Sequence, residues 1–140
     1  MLISSRGRYA LRVMIDLAEH NTGEYTPLKE ISARQNISRK YLENIMTVLS
    51  KADYVEGVHG KGGGYRLNRA PEEYIIGDLL RLTEGTLAPV AGLECENEPC
   101  VRAGECRTLP IWDRLNTMIN GYLDSVSLGD IIREGDQDKA

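Results

Sequence analysis

Three cysteines, Cys95, Cys100 and Cys106, lie within twelve residues, in the segment ECENEPCVRAGEC, and the 140-residue chain has no others. Soft thiolates grouped in this way are typical ligands of an iron–sulfur cluster or of zinc. An odd number of cysteines in a chain with no apolar leader argues against a disulfide framework. The segment therefore predicts a metal site with three sulfur ligands and leaves the fourth ligand open.

The surroundings of the thiols favour a metal over free cysteines. Four carboxylates lie among them and, by like-charge repulsion, disfavour thiolates until a cation binds; they are Glu94, Glu96, Glu98 and Glu105. The fourth ligand could be a loop glutamate, a residue of a second subunit, or an exogenous thiol or water. His20 and His59, the only histidines, are better explained by a helix end and a hairpin. Zinc, or a cluster-free switch that forms a disulfide, is the alternative.

The charge distribution separates the chain into two halves. Residues 1–70 contain eleven Lys/Arg and seven Asp/Glu, whereas residues 71–140 contain six and fourteen. Such an asymmetry indicates that only the first half faces a polyanion, so the net charge of −4 does not exclude DNA binding. No apolar stretch of about eighteen residues is present, and we expect a cytoplasmic protein without a membrane span.

The first half has the pattern of a helix-turn-helix. One apolar face, consisting of Ala10, Val13, Met14, Leu17 and Ala18, predicts a first helix capped by Ser4 or Ser5. Thr26 and Pro27 predict the start of a short second helix, with Leu28, Ile31 and Ala33 on its buried side. Asn36 predicts its end, and Ser38 caps a third helix with an inward face of Leu42, Ile45, Met46 and Leu49. Its outer face is polar and partly basic, as in a recognition helix.

A hairpin follows the third helix. The segment YVEGV predicts a strand, HGKGGG a flexible tip and YRL the returning strand, which is the pattern of a wing. A phosphate-binding nucleotide loop would need a helix after the glycines, whereas a strand follows here. The predicted DNA-binding residues of the first helix, third helix and wing are Arg6, Arg8, Ser38, Arg39, Lys40, Tyr41, Glu43, Asn44, Thr47, His59, Lys61, Gly62 and Arg66.

The second half predicts a short helix over IGDLLRLTEG, then the cysteine loop, then a long helix. The apolar stripe of the long helix is more than a small wing domain can bury, so it predicts a two-fold homodimer; the alternative is a helix folded back on its own domain. The predicted dimerisation residues are Ile111, Trp112, Leu115, Met118, Ile119, Tyr122 and Leu123. Ser127 and Asp130 resemble a capping box for a final helix.

The expected fold is mainly α with a small β-hairpin wing: a winged helix-turn-helix domain plus a long dimerisation helix. The expected organisation is a DNA-binding domain over residues 1–70, the cysteine loop and dimerisation helix over residues 71–133, and a disordered tail over residues 134–140. An enzyme is disfavoured, because no nucleophile, base and orienting group occur in a recognisable arrangement.

Several segments, in order along residues 1–133, resemble the Rrf family of winged-helix transcriptional regulators. They are ISSRGRYALRVMIDLA, ISRKYLENIMTVLSKADYV, HGKGGGYRL, IGDLLRLTEG and SLGDII. The resemblance implies a homodimer on a palindromic operator of double-stranded DNA, with the recognition helix in the major groove and the wing at the minor groove. It also implies an iron–sulfur cluster on Cys95, Cys100 and Cys106 that controls DNA affinity and senses redox state, nitric oxide or cluster status.

The match to iron–sulfur members departs at the ligands. Four residues separate Cys95 from Cys100, as in some NsrR-like nitric-oxide sensors, where IscR-like members commonly have five. Leu109 stands where IscR-like members have a histidine, and Arg8 stands where another type has an aspartate. We expect a [2Fe–2S] cluster in preference to [4Fe–4S]. The alternative is a cluster-free regulator of the same fold that responds to thiol oxidation or to cysteine metabolism, with an enzyme of that metabolism as a possible partner.

Overall fold

The computed structural model describes residues 3–90 and 107–138, so the predictions for Cys95, Cys100 and Cys106 lie outside the described residues. The elements are α1 (Ser5–Glu19), α2 (Leu28–Gln35), α3 (Arg39–Lys51), β1 (Val55–Val58), β2 (Gly64–Leu67), a 3₁₀ turn (Pro71–Glu73), α4 (Ile76–Glu84), α5 (Leu109–Asp124) and α6 (Leu128–Asp138). Helices with one antiparallel hairpin confirm the predicted fold class. Within the two described ranges, no helix is both long and apolar enough to cross a bilayer.

The apolar faces of α1 and α3 meet in one core. The buried residues on α1 and α3 include Ala10, Val13, Met14, Leu17, Leu42, Ile45, Met46 and Leu49. Ser4 caps α1, since its hydroxyl accepts a hydrogen bond from the Gly7 amide at 3.1 Å. Because these faces recur at helical spacing, α3 buries one side and leaves the other side outside the core.

The turn between α2 and α3 forms as predicted. Asn36 ends α2 in the left-handed conformation with φ 54°. The Ser38 hydroxyl caps α3 by accepting from the Tyr41 amide at 3.2 Å. At the start of α2 the cap residue is Pro27, one residue later than predicted. Ala33 is exposed, contrary to prediction, and Ile37 beyond the turn is buried instead.

The wing is an antiparallel hairpin with a third backbone partner. β1 and β2 pair from Val55↔Leu67 to Val58↔Gly64. Thr26, which was expected to cap α2, forms a bridge with Tyr65 through N–H···O bonds of 2.8 and 2.9 Å. Gly64 permits this approach, because its φ is 151° and a Cβ there would lie 2.2 Å from the Thr26 oxygen. The hairpin is therefore attached to the loop between α1 and α2.

The second half closes the core from the other side. Gly85, with φ 80°, ends α4 as predicted. The predicted capping box starts α6: the Ser127 amide donates to the Asp130 carboxylate at 2.9 Å, and the Asp130 amide donates to the Ser127 hydroxyl at 3.1 Å. From this start α6 runs to Asp138, past residue 134 where a disordered tail was expected, and Gly135 does not end it.

A buried carboxylate joins α1 to α2. Asp16 is 1% exposed and accepts from Arg34 at 2.8 and 3.0 Å and from Gln35 at 2.9 Å. Burial by itself raises the pKa of the Asp16 carboxyl, but the hydrogen bonds from Arg34 and Gln35 outweigh it. The positive charges of Arg34 and His20 act in the same direction, so the pKa lies below its ordinary value. Asp16 is therefore ionised at neutral pH.

Replacing Asp16 by Asn should lower the free energy of unfolding at pH 7 by about 2–3 kcal/mol, less than for a fully buried pair because Arg34 is partly solvated. With the folded pKa lowered, the contribution of Asp16 is complete above about pH 4, the ordinary range of an aspartate, and disappears as the pH falls through the folded value. Urea unfolding of Asp16→Asn at pH 7 and pH 3 should show the difference from wild type shrinking at the lower pH. Glu30→Gln, at an exposed ion pair with Arg34 of 3.6 Å, is the control and should change the value by less than about 0.5 kcal/mol. A constant difference at both pH values would contradict this assignment.

Candidate nucleic-acid interface

The outer face of α3 is polar and exposed. Arg39, Lys40, Glu43, Asn44 and Thr47 all lie on it, as predicted. The Thr47 hydroxyl donates to the Glu43 carbonyl at 2.8 Å and so stays close to its own helix. In the described part of the chain, no hydrogen bond or ion pair engages the side chains of the other four, which leaves them available to a partner.

The start of α1 lies beside this face. A hollow of about 390 Å³ is lined by Arg6, Tyr41, Asn44, Ile45, Thr47 and Val48. Tyr41 is half-buried and packs edge-on against Tyr9, with ring centroids 5.6 Å apart. Arg8 is exposed, and its guanidinium donates to the Ser5 hydroxyl at 3.2 Å. The structure thus places Arg6 next to the polar face of α3, with Arg8 exposed nearby on α1.

The wing extends the same surface. A second hollow, of about 320 Å³, lies between the end of α3 and the wing and is lined by Thr47, Ser50, Lys51, Gly57, Val58, His59 and Tyr65. His59, Lys61 and Gly62 are exposed at the tip, where the Gly63 amide closes the turn on the Gly60 carbonyl at 3.0 Å. Thr47 lines both hollows, so the surface that they form runs without a break from Arg6 past Asn44 and Thr47 to His59.

Arg66, a predicted DNA contact, has three partners within the chain. Its Nε lies 2.9 Å from Glu56 Oε2, and its Nη1 lies 2.9 Å from the Gly23 carbonyl oxygen. Its guanidinium carbon lies 4.4 Å from the centre of the Tyr25 ring. Glu56 and Arg66 are direct cross-strand partners. Their opposite charges in a predicted hairpin are the signal that could have found this contact.

The predicted dimerisation residues of α5 divide into two sets. Ile119 and Leu123 pack against the chain's own core, and Trp112 is half-buried. Four remain exposed: Ile111 at 57%, Leu115 at 37%, Met118 at 64% and Tyr122 at 67%. The inner side of α5 is fixed to α4, because Arg81 donates to Asn120 and to Asp124 at 2.8 Å. The exposed set therefore forms a separate apolar stripe on an anchored helix.

The end of α4 contacts the start of α1. Glu84 is the last residue of α4, and its Oε1 accepts from the Ser4 amide at 3.1 Å and from the Ser4 hydroxyl at 2.6 Å. A Cβ on Gly7 would lie 2.3 Å from the same oxygen, so glycine leaves room for this carboxylate. The sequence gives no local signal of this contact, because Ser4 and Glu84 lie 80 positions apart. It joins the helix that precedes the cysteine segment to a turn that contains Arg6.

No metal-binding group is formed by the residues that the structure describes. Within ranges 3–90 and 107–138, three or more His, Cys, Asp or Glu side chains do not converge as a metal requires. The ring Nδ1 of His20 lies 2.8 Å from the Asp16 carbonyl oxygen, and His59 lies on the wing. Leu109 is a helical residue of α5.

Comparisons with known proteins agree with this architecture. Residues 3–134 match the family described as "Rrf2: Iron-dependent Transcriptional regulator". The chain is 38% identical over 133 residues to the HTH-type transcriptional regulator IscR of Aliivibrio salmonicida, covering 94% of this chain and 77% of that protein. The structure of CymR, the global cysteine regulator of B. subtilis, superposes with a TM-score of 0.78 at 34% identity and covers 96% of this chain and 98% of its own.

The structure of T. potens IscR superposes with a TM-score of 0.79 at 31% identity and covers 100% of this chain and 92% of its own. Regulators named IscR and a global cysteine regulator are thus both among the relatives. The match spans nearly every described element, and it confirms the resemblance on which the sequence predictions rested. The chain belongs to the Rrf2 family of transcriptional regulators.

Proposed function

We propose that this chain acts as a homodimer that binds a palindromic DNA operator, with α3 in the major groove and the wing at the adjacent minor groove. The observation that carries the proposal is the continuous surface from Arg6 across the outer face of α3 to His59. A helix fits the major groove, and its polar outer side chains reach the base edges there.

The residues of this surface suit different parts of DNA. Arg39 and Lys40 lie in the first turn of α3, where the helix dipole adds to their attraction for a phosphate. Asn44 has the amide that pairs with adenine, and Glu43 can accept from a cytosine amino group or repel other sequences. Arg6 and Lys61 extend the cationic contact to the backbone on either side of α3.

The exposed stripe of α5 supports the homodimer. Ile111, Leu115, Met118 and Tyr122 follow one another at spacings of four, three and four residues, the repeat of a coiled-coil seam. A two-fold axis would bury this stripe against its own copy, and it would present two α3 helices to two half-sites. Half-sites one helical turn apart require a separation of roughly 34–36 Å between the recognition helices.

Three thiolates are a donor set that fits an iron–sulfur cluster, and we propose that Cys95, Cys100 and Cys106 hold one, [2Fe–2S] in preference to [4Fe–4S]. When bound, such a cluster supplies a centre that reacts with oxidants or nitric oxide. The iron-dependent description of the family and the IscR relatives support this assignment. The CymR structure supports the alternative, a regulator that responds to cysteine metabolism without a cluster. A set of three grouped cysteines favours the first.

The contact between Glu84 and Ser4 supports control of DNA binding by the cysteine segment. That segment begins shortly after α4, whose last carboxylate holds the N-terminal turn of α1. Any rearrangement that moves the end of α4 therefore moves the turn containing Arg6. On this proposal an ordered segment holds both the turn and the angle between the two wing domains, and a disordered segment releases them.

Removing one sulfur should abolish both the cluster and the control. Wild-type protein purified without air should contain iron and sulfide and bind a duplex selected from a random-sequence pool more tightly, at fixed salt, than the metal-free protein. Cys100→Ala should contain little iron and bind as the metal-free protein does, because two sulfurs do not retain a cluster. Val101→Ala, one residue away, is the control and should behave as wild type. A metal-free wild type with full affinity for the duplex would favour the cysteine-metabolism alternative.

Placing a charge in the exposed stripe of α5 should separate the dimer. In Met118→Glu the two-fold axis brings two carboxylates into an apolar seam, and we expect the dissociation constant to rise by at least about two orders of magnitude. Sedimentation equilibrium measures the change. Thr117→Glu adds the same charge to an exposed neighbouring position on α5 and should leave the dimer intact. Equal effects of the two substitutions would show that the dimer does not use this stripe.

Lys61 should contribute one phosphate contact. For Lys61→Ala we expect the slope of log affinity against log salt to become shallower by about one unit, with the sequence preference unchanged. Fluorescence anisotropy with the selected duplex at four salt concentrations measures the slope. The control is Arg133→Ala, which removes a cation on α6 that is paired with Glu72. This substitution should not change the salt slope. An unchanged slope for Lys61→Ala would remove Lys61 from the interface.

A further inference from the structure

We propose that Arg66 is a positioning residue that fixes the wing against the loop between α1 and α2 and does not itself contact DNA. This inference rests on the proposed DNA-binding function. The sequence predicts Arg66 as a DNA contact, because it is a cation on the returning strand of the wing. The three partners of its guanidinium in the structure give it a different task.

The partners of Arg66 belong to two parts of the molecule, the first strand of the wing and the loop between α1 and α2. Glu56, at 2.9 Å from Nε, is its cross-strand neighbour on β1. The Gly23 carbonyl, at 2.9 Å from Nη1, and the Tyr25 ring, at 4.4 Å from the guanidinium carbon, belong to the loop that follows α1. A planar guanidinium can donate in its plane and stack on a ring at the same time, which a lysine cannot do. One side chain therefore connects both strands of the wing to the helix-turn-helix.

The wing needs such a connection. A two-stranded hairpin with strands of four residues has little stability of its own. Apart from the hairpin ladder, its backbone attachment within the described residues is the pair of hydrogen bonds between Thr26 and Tyr65. Those bonds and the buried side chains of Val55 and Leu67 fix the base of the wing. The Arg66 contacts add a second attachment, from β2 to the loop that follows α1, and so restrict how the rest of the hairpin is oriented.

The charge of Arg66 is largely matched. The Glu56 carboxylate neutralises it at close range, and Arg66 stacks on an aromatic ring, so the group offers little net attraction to a phosphate. An exposed ion pair of this kind adds little to global stability. The ion pair instead affects the orientation of the wing tip. If only a fraction of the molecules has the wing in the orientation that binds DNA, the apparent affinity is the intrinsic affinity multiplied by that fraction.

Two substitutions that leave Arg66 itself in place distinguish positioning from direct contact. Tyr25→Leu removes the stack and alters no charge. Glu56→Gln removes a negative charge near the DNA and frees Arg66. If Arg66 positions the wing, both should weaken binding of the selected duplex, by about threefold or more, as a less populated competent state requires. If Arg66 bound a phosphate directly, Tyr25→Leu would leave the affinity unchanged and Glu56→Gln would raise it, and either result would overturn the proposal.

A double-mutant cycle with Lys61 measures whether Arg66 affects DNA binding through the wing tip. Arg66→Ala should weaken binding in the wild-type background by about three- to tenfold and have little further effect in Lys61→Ala, because the tip no longer carries the contact that needs positioning. Additive effects of the two substitutions would contradict the proposal. Arg66→Lys, which keeps the charge but loses the fork and most of the stack, should resemble Arg66→Ala and not the wild type.

Hydrogen exchange on the DNA-free protein tests the positioning role separately from DNA binding. In Arg66→Ala the amides of Thr26, Gly63 and Tyr65 should exchange at least about fivefold faster, while the amides of the α1 core and the melting temperature stay close to wild type. Unchanged exchange at these three amides would overturn the proposal even if DNA binding were impaired. If the wild type bound no duplex but the exchange behaved as expected, the proposed function would fail while the positioning contact stood.

Discussion

The arrangement of the helix-turn-helix depends on the burial of one negative charge. Among the described residues Asp16 is the only charged side chain in the core, and an unpaired carboxylate at that depth would be strongly unfavourable. Its partners Arg34 and Gln35 both lie in the last turn of α2, so satisfying the charge sets where α2 ends on α1. The left-handed residue Asn36 and the cap at Ser38 then give α3 its direction. The orientation of the polar face of α3 follows from these steps.

Helices α3 and α5 both pack one face against the core, but their exposed faces differ in composition. Each buries or half-buries one apolar side against the core, because a small domain can cover only one face of a peripheral helix. The remaining side of α3 is polar and carries cations, whereas that of α5 is apolar, with Met118 and Tyr122 about two-thirds exposed. A polar basic face suits a polyanion, and an apolar seam suits a copy of itself. The two proposed partners of the chain therefore follow from the composition of the two exposed faces.

Local signals predicted most of the fold, and long-range pairing accounts for what they missed. The caps at Ser38 and Ser127 and the helix ends at Asn36 and Gly85 depend on residues within a few positions, which a sequence displays directly. The pairing of Thr26 with Tyr65 and the hydrogen bond from Arg66 to the Gly23 carbonyl join residues about forty positions apart, and no local pattern specifies such partners. The same lack of long-range information applies to the candidate DNA-binding surface. Its residues could be predicted one by one, but its continuity depends on the position of Thr47 between α1 and the wing.

The contact between Glu84 and Ser4 bears on how a signal could pass in both directions. A carboxylate at the first turn of α1 is favoured by the helix dipole, and Gly7 keeps the space that it needs. If the cysteine segment shifts the end of α4, the turn holding Arg6 shifts with it. Coupling free energies are reciprocal, so DNA that selects one position of Arg6 must also select one position of Glu84. On the proposed function, metal bound to the three cysteines changes the affinity for the operator by some factor. Operator binding would then change the affinity of the cysteines for the metal by the same factor.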